Sequence, residues 1–485
     1  MKRPFAVIGF AYLAALILAF TLAGRAALLA GLVCLIFGVL CALFHTYRGM
    51  AVLTAGFLSA AVAFGGYWFF QTQQVQPVSA LAGHTARIQG EITRFSSDRT
   101  DGTRISEIHV TACDLPNAPQ DFQIRFYSTT SVDAELYDLV ECDVEFEAIE
   151  NTVTFDAVGY YRARNLFVAA RQTSECTVTV PEKKGVRAFF ASVQARLSSA
   201  MTTQLEGENG ALSAAMLLGD RSMVSGEMNA DFKSSGVIHL LAISGTHIML
   251  MCALLYQLAR RLPIGYTARN LICVVGAPLY CMLVGCPFSA VRATIMAVIC
   301  FGMRLFDRQG DSINSLGLAV LLILLFSPGA AMDLSFQLSV TATLGILLYQ
   351  GLFHKRIREF LFSHGLSSKL LLYAVDGVLS SILITFLTFP LVAMSYGRIS
   401  LIAPLTNLFF SPLVLAELAA GFAFCLFSFI PFLSFLLPAA GFFLNLAGSC
   451  MGQVSNVLAE IPYVYPAADA VFWYAGIVCP VFSAQ

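Results

Sequence analysis

The chain has 485 residues, 57% of them hydrophobic and only 12% charged, with a formal net charge of −1. Its mean hydropathy is +0.74. A soluble domain carries about 25% charged residues, so the composition excludes a soluble globular protein and indicates a polytopic α-helical membrane protein. The charge is uneven: residues 71–187 hold 11 Lys and Arg against 17 Asp and Glu, which marks a soluble domain of net charge −6 set inside an apolar chain.

In chain order, Lys2 and Arg3 precede apolar runs at 5–22, 26–44 and 50–70. The first run is longer than the roughly 7–15 residues of a signal-peptide core, and two more follow it. Residues 1–70 are therefore expected to form three N-terminal transmembrane helices rather than a cleaved leader.

Residues 71–187 read as β. Ala86–Arg94, Ile105–Cys113, Phe122–Tyr127 and Val140–Ile149 alternate apolar and polar residues. Turn chemistry lies between them at Asp101-Gly102 and at Pro116-Asn117-Ala118-Pro119. About five strands in this length suit a small barrel or sandwich, with an OB-like barrel as one solution. The net charge opposes a phosphate backbone. Nucleic-acid binding here would need a local basic face, for which Arg162, Arg164 and Arg171 with Tyr160 and Tyr161 qualify; otherwise the domain is a structural module. Cys113, Cys142 and Cys176 lie in this domain, and in an oxidising compartment two of the three can form a disulfide. No spacing suited to a metal appears, and no cofactor is indicated.

Residues 188–205 form an amphipathic stretch in which Phe189, Phe190, Val193, Leu197 and Met201 recur at helical spacing. A helix lying on the membrane surface and an exposed packing helix both fit. Residues 206–485 make up the main membrane domain. Its apolar segments lie at about 236–259, 268–285, 288–304, 311–326, 334–350, 370–394, 401–430 and 434–459, with a final run from Ala470. Pro278, Pro287, Pro390, Pro404 and Pro412 interrupt or flank them, as happens where irregular backbone lines a cavity. The positive-inside rule places Arg260, Arg261, Arg269, Arg304, Arg308, Lys355, Arg356, Arg358 and Lys369 in the cytoplasm. It therefore places the β domain outside the cytoplasmic membrane.

The segment Ile238–Met251, IHLLAISGTHIMLM, carries the most chemistry. Polar groups at membrane depth are costly unless they face a partner, a cavity or water, and a Ser-Gly pair weakens a helix. His239, Ser244 and His247 would share one side of a continuous helix, as a polar lining, as a break at Ser244-Gly245, or as hydrogen-bonding ties between helices. Arg292 either snorkels from the outer end of its span or faces a pore and holds phosphates with its guanidinium fork. Asp333 and Gln337 are four residues apart on one helix face, where Asp333 also suits a helix cap. Pro390, Asn407 and Pro412 mark irregular backbone in the later spans.

These residues resemble a known family. His239-Leu240-Leu241-Ala242-Ile243-Ser244-Gly245-Thr246-His247 resembles the HLLAISGLH signature of the competence domain of ComEC-family DNA-uptake channels, with Thr246 in place of Leu. Met216 through Arg221 and Phe232 through Gly236 resemble the lead-in to that signature. Ser289, Val291-Arg292-Ala293 and Met296 resemble the family's S-x-x-RA-x-x-M motif, and Ser335-Phe336-Gln337-Leu338-Ser339 after Asp333 its FQLS motif. Phe389-Pro390, Asn407 and Pro412 resemble its last polar-proline cluster. Phe155-Asp156, Tyr161 and Asn165 resemble the end of its extracytoplasmic OB-like domain, although Thr152-Val153-Thr154 stands where the family has Pro-Gly-Gly.

The resemblance implies import of one strand of transforming DNA across the cytoplasmic membrane. It makes His239, Ser244, Gly245, His247, Arg292, Asp333, Gln337 and Asn407 the residues of the DNA path. It also implies a DNA receptor, an ATP-driven cytoplasmic partner and a separate nuclease as partners, and leaves homo-oligomerisation open. No His-x-His-x-Asp-His run and no P-loop occur, and the chain stops inside an apolar segment at Gln485. The expectation is a non-enzymatic channel without its own nuclease, either truncated or complete without one. Two alternatives stand beside it: a small-molecule exporter, which would show inverted repeats, and an intramembrane hydrolase using Ser244 and His247, which would need an orienting acid.

Overall fold

A computed structural model of the chain describes residues 3–459, apart from 23, 44–48, 96–103, 117, 129–133, 152–156, 182–184, 307–309, 364–367 and 397–402. Lys2, the Asp101-Gly102 turn, Asn117, the stretch from Thr152 to Asp156, Arg308 and the run from Ala470 to Gln485 therefore lie outside the described residues.

In chain order, α1 (Pro4–Leu22), α2 (Gly24–Leu43) and α3 (Met50–Phe70) come first, and α3 continues through a π turn into α4 (Gln76–Ser79). The strands are β1 (Thr85–Phe95), β2 (Arg104–Cys113), β3 (Phe122–Ser128) and β4 (Leu139–Glu147), then α5 (Ala157–Arg162), β5 (Leu166–Gln172) and β6 (Thr177–Thr179). Next come α6 (Val186–Gln204), α7 (Asn209–Leu218), α8 (Gly226–Ser234), α9 (Gly245–Ala259), α10 (Tyr266–Leu283), α11 (Phe288–Leu305) and α12 (Ser312–Phe326). The last helices are α13 (Leu334–Tyr349), α14 (Lys355–Ser363), α15 (Lys369–Tyr396), α16 (Ala403–Phe429) and α17 (Leu437–Ala459). Among the described residues, 8 helices are long and apolar enough to cross a membrane. With the β strands, they make the chain a polytopic α-helical membrane protein carrying a small β domain.

The chain divides into two compact units. The first comprises Met1–Ser192 and Gly317–Phe336. Within it, a side-chain Cβ at Gly9 or at Gly317 would collide with the backbone of the other element, so only glycine allows this crossing. Ser59 Oγ on α3 donates to the Ile8 carbonyl on α1 (2.7 Å).

The strands pair in the order β1-β2-β3-β5-β4, and β4 returns to β1, closing a five-stranded barrel with β6 added along β4. β3 and β5 run parallel and the other ring pairs antiparallel. This agrees with the OB-like expectation. Alternate residues point inward: Phe122, Ile124 and Phe126 from β3, and Val140, Val144 and Phe146 from β4. Val78 and Leu81, beyond α3, join the same core. The register shifts at Gly90, where a Cβ would lie 2.6 Å from the His109 carbonyl, so glycine lets β1 bend into the ring.

The barrel resolves which cysteines can meet. Cys142 is buried on β4 and its thiol hydrogen-bonds that of Cys176. That contact, and then burial, push Cys142 well above the ordinary thiol range, while the same bond lowers Cys176. Cys113 sits opposite Ile88 on β2, with the β1 strand between it and Cys142.

The second unit comprises Val193–Leu316 and Gln337–Gln485. Its core includes Leu197, Met201, Leu212, Leu218, Phe232, Phe410 and Leu418. The short helix α7 is buried along its length from Gly210 to Leu218. In α6, Leu197 and Met201 are buried and Phe189 is 62% exposed, so its C-terminal half packs while its N-terminal half presents an aromatic surface.

Candidate functional site

The segment expected to span at 236–259 is broken. Ile238–Leu241 form a single 3-10 turn, Ala242 is extended, and α9 starts only after Ser244. Ser244 has φ −123° and ψ 176°, the extended geometry of a helix N-cap. The resulting helix has 15 residues, about 22 Å at 1.5 Å per residue, which is short of a hydrocarbon core of about 30 Å. The expectation that His239, Ser244 and His247 share one side of a helix is therefore corrected: His239 lies on the turn before the break, is exposed, and belongs to a different element.

A break exposes backbone groups that must be satisfied. Arg221 Nε donates to the Leu241 carbonyl (3.0 Å) and Ser289 Oγ to the Ile243 carbonyl (2.7 Å). The Ser244 N–H donates to His247 Nδ1 (3.1 Å), the half of a capping box made by the third helical residue. Ser244 Oγ lies 2.9 Å from the same nitrogen. With Nδ1 accepting, a neutral imidazole carries its proton on Nε2. That atom is buried, and the imidazole faces the Met216 backbone of α7. Leu217, on α7, receives Tyr280 Oη from α10 (2.7 Å), and Asp220, just beyond α7, accepts from Ser198 Oγ (2.6 Å) and from the Ser222 N–H (3.0 Å). Burial raises the Asp220 carboxyl, but these hydrogen bonds outweigh it and hold the group below its ordinary value.

Arg292 comes to this break from α11. It is 4% exposed, which rules out snorkelling into water as its setting. Its Nε donates to Ser339 Oγ on α13 (3.1 Å) and Nη1 to Met296 Sδ (3.4 Å). Nη2 lies 3.3 Å from where a Cβ on Gly245 would stand. Gly245 is thus the residue that lets a guanidinium lie against the start of α9. The first N–H groups of a helix have no intrahelical acceptor and carry the positive end of its dipole. No carboxylate pairs with Arg292 among the described residues. A buried cation is thus held by a hydroxyl and a thioether beside a helix N-terminus, a setting in which an anion would be stabilised.

Of the other expected path residues, Asp333 and Asn407 make contacts of their own. Asp333 Oδ1 accepts the Phe336 N–H (2.8 Å) and so caps α13, in the first unit. Asn407 Nδ2 donates to Ser381 Oγ (2.9 Å), tying α16 to α15. Gln337 opens the part of α13 that belongs to the second unit. One group was missed: Glu417 on α16 is 2% exposed, accepts from Ser213 Oγ (2.5 Å), and leaves Oε2 without a partner among the described residues. Its signal was a single acidic residue within the apolar stretch 401–430.

In the first unit, the proposed basic face of the barrel changes composition. Arg171 is taken by Glu147 in a two-bond pair at 2.7 and 3.3 Å. Arg164 stacks on Tyr160 (4.1 Å), and Arg125 lies over Tyr161 (4.4 Å) and Tyr127 (5.0 Å). Arg125 on β3, lying over two tyrosine rings, replaces Arg171 in this cluster.

A family model described as competence protein matches residues 216–484. The chain is 29% identical to ComE operon protein 3 of Bacillus subtilis (strain 168) over 164 residues, which is 34% of this chain and 21% of that protein. It is 28% identical to an uncharacterized protein of Aquifex aeolicus over 285 residues, 58% of this chain and 60% of that one. It is 27% identical to the MG316 homolog of Mycoplasma pneumoniae over 186 residues, 38% of this chain and 44% of that one. The chain therefore spans less than two thirds of each of these relatives. No solved structure matches it. The family match covers more than half of the sequence and includes the broken segment, Arg292 and the Ser339 helix, and the chain belongs to the competence protein family.

Proposed function

We propose that this chain forms the route by which one strand of transforming DNA crosses the cytoplasmic membrane. The observation that carries the reading is the buried Arg292, without an acidic partner among the described residues, lying against the N-terminal end of α9. A polyanion passing such a site finds donors that hold one phosphate briefly, and a short, single binding position favours release as well as capture. Orientation is part of the proposal. α9, α10 and α11 pack as neighbours, with Arg260, Arg261, Arg269 and Arg304 toward one end and the Arg292 site toward the other. The positive-inside rule puts the arginine-rich end in the cytoplasm and the site on the outer side. By the same rule, Lys2 and Arg3 inside followed by three N-terminal spans would put the barrel outside the membrane, where its Arg125, Arg164, Tyr160 and Tyr161 cluster offers stacking surfaces and charge for a first contact with a strand.

The chain acts in this reading as a channel without catalysis. A DNA receptor, an ATP-driven partner in the cytoplasm and a nuclease would supply capture, force and strand degradation. A second reading has one observation in its favour, the 2.9 Å contact between Ser244 Oγ and His247 Nδ1. Hydrolase chemistry there would be revealed by labelling with a serine-directed fluorophosphonate, lost in Ser244→Ala.

The test of the channel is uptake of end-labelled duplex DNA by a deletion strain, with and without the chain restored. Restored appearance of labelled single strands in the cytoplasm supports the proposal. Equal import without the chain refutes it.

A further inference from the structure

The C-terminal end of α10 closes in a Schellman turn. Gly285 has φ 79°, its N–H donates to the Met282 carbonyl (3.2 Å), and the Cys286 N–H donates to the Cys281 carbonyl (2.9 Å). This turn sets two side chains face to face, one from the last helical turn and one just past the glycine, and an apolar contact usually joins them. Here the two are Cys281 and Cys286, and their side chains are in hydrogen-bonding contact. Cys281 is buried, and its sulfur also meets the side chain of Thr294. Cys286 is exposed, with φ 53°, a left-handed conformation that non-glycine residues seldom adopt. An exposed thiol buries little apolar surface, so packing gives no account of cysteine in that position.

We propose that Cys281 and Cys286 form a reversible dithiol–disulfide pair at the turn that presents the anion site. Pro287 is the N-cap of α11, and Ser289 and Arg292 follow it within the first turns of that helix. A bond across the turn ties the end of α10 to the start of α11 and fixes the approach of both residues to the break at Ile243–Gly245. The chemistry is thiol–disulfide exchange with an external disulfide. The exposed Cys286 thiolate attacks that disulfide and releases one thiol. The Cys281 thiolate then attacks Cys286 Sγ in the mixed disulfide, forms the internal S–S bond and releases the second thiol. Two protons and two electrons leave the pair, and the external disulfide is reduced to two thiols. The availability of such an oxidant rests on the proposed orientation, which puts this turn on the outer side.

The test uses the full chain in its membranes, with oxidised glutathione as oxidant, followed by maleimide labelling and peptide mass mapping. The expected result is at least a tenfold loss of maleimide labelling at Cys286, a linked 281–286 peptide two hydrogens lighter, and full recovery with dithiothreitol. In Cys281→Ala the expected product is a persistent glutathione adduct on Cys286, because no resolving thiol remains. An equally persistent adduct on the unaltered chain, or undiminished maleimide labelling, overturns the proposal. A membrane-impermeant maleimide applied to intact cells reads the orientation separately. Labelling of reduced Cys286 from outside supports it, whereas labelling only after the membrane is opened overturns the orientation and leaves the pair to be judged on its peptide mass.

Discussion

Two arginines in this chain have the same side chain and opposite surroundings. Arg171, on the barrel, is more than half exposed and doubly bonded to Glu147. Arg292, in the helical unit, is buried and meets a hydroxyl and a thioether instead of an acid. A surface ion pair adds little, because water solvates both charges nearly as well as they solvate each other. A buried cation without a countercharge is a standing cost of several kcal/mol, which a passing anion relieves. Among the described residues, one arginine has a carboxylate beside it and the other has none, and the charge count of the sequence does not distinguish them.

Replacing Arg292 gives the sharpest break in that comparison. Arg292→Ala is expected to cost about 2–4 kcal/mol of interaction with the phosphate, roughly 30- to 1,000-fold in strand import, while DNA held outside the cell is unchanged. Normal transformation by this variant would remove the phosphate-contact role. Arg292→Lys should recover only part of the loss, since a point charge does not reproduce the fork.

The barrel offers the next effect. Under oxidising conditions Cys142 and Cys176 are expected to join and Cys113 to remain, of these three barrel cysteines, the one that alkylates. Cys142→Ser then lowers the domain's stability by about 2–4 kcal/mol, read as a lower midpoint in thermal melts that dithiothreitol reproduces in the unaltered chain. Gly245→Ala tests the site from its other wall. A Cβ 3.3 Å from Arg292 Nη2 must push the guanidinium aside, and a cost of about 1–2 kcal/mol should lower import roughly five- to thirtyfold without changing the amount of protein in the membrane.

Asp220 gives a pH dependence. Its carboxyl is held below its ordinary value of 3.8, so its contribution is present above that pH and is lost as the pH falls through the lower folded value. Asp220→Asn should cost about 1–2 kcal/mol at neutral pH and flatten the acid limb of stability below the ordinary carboxyl value. An unchanged acid limb would show that Asp220 does not carry it. The smallest effect belongs to Arg171→Ala, at most about 1 kcal/mol; a larger loss would mean that the two arginines are less different than their surroundings indicate.

The sequence alone determined the membrane class, the three N-terminal spans, the soluble insert and most of its strands. These rest on composition and on local periodicity, which each residue carries wherever it is placed. It also marked Ser244-Gly245 as a weak point, because propensity is local. Only the tertiary structure decided that the weak point is a full break with Arg221 and Ser289 holding its carbonyls, since those donors come from distant parts of the chain. The same holds for the meeting of Cys142 with Cys176, the arrival of Arg125 at the tyrosines, and the burial of Glu417 against Ser213. Burial and pairing are properties of three-dimensional neighbours, and a one-dimensional pattern names the charged residue without naming what stands opposite it.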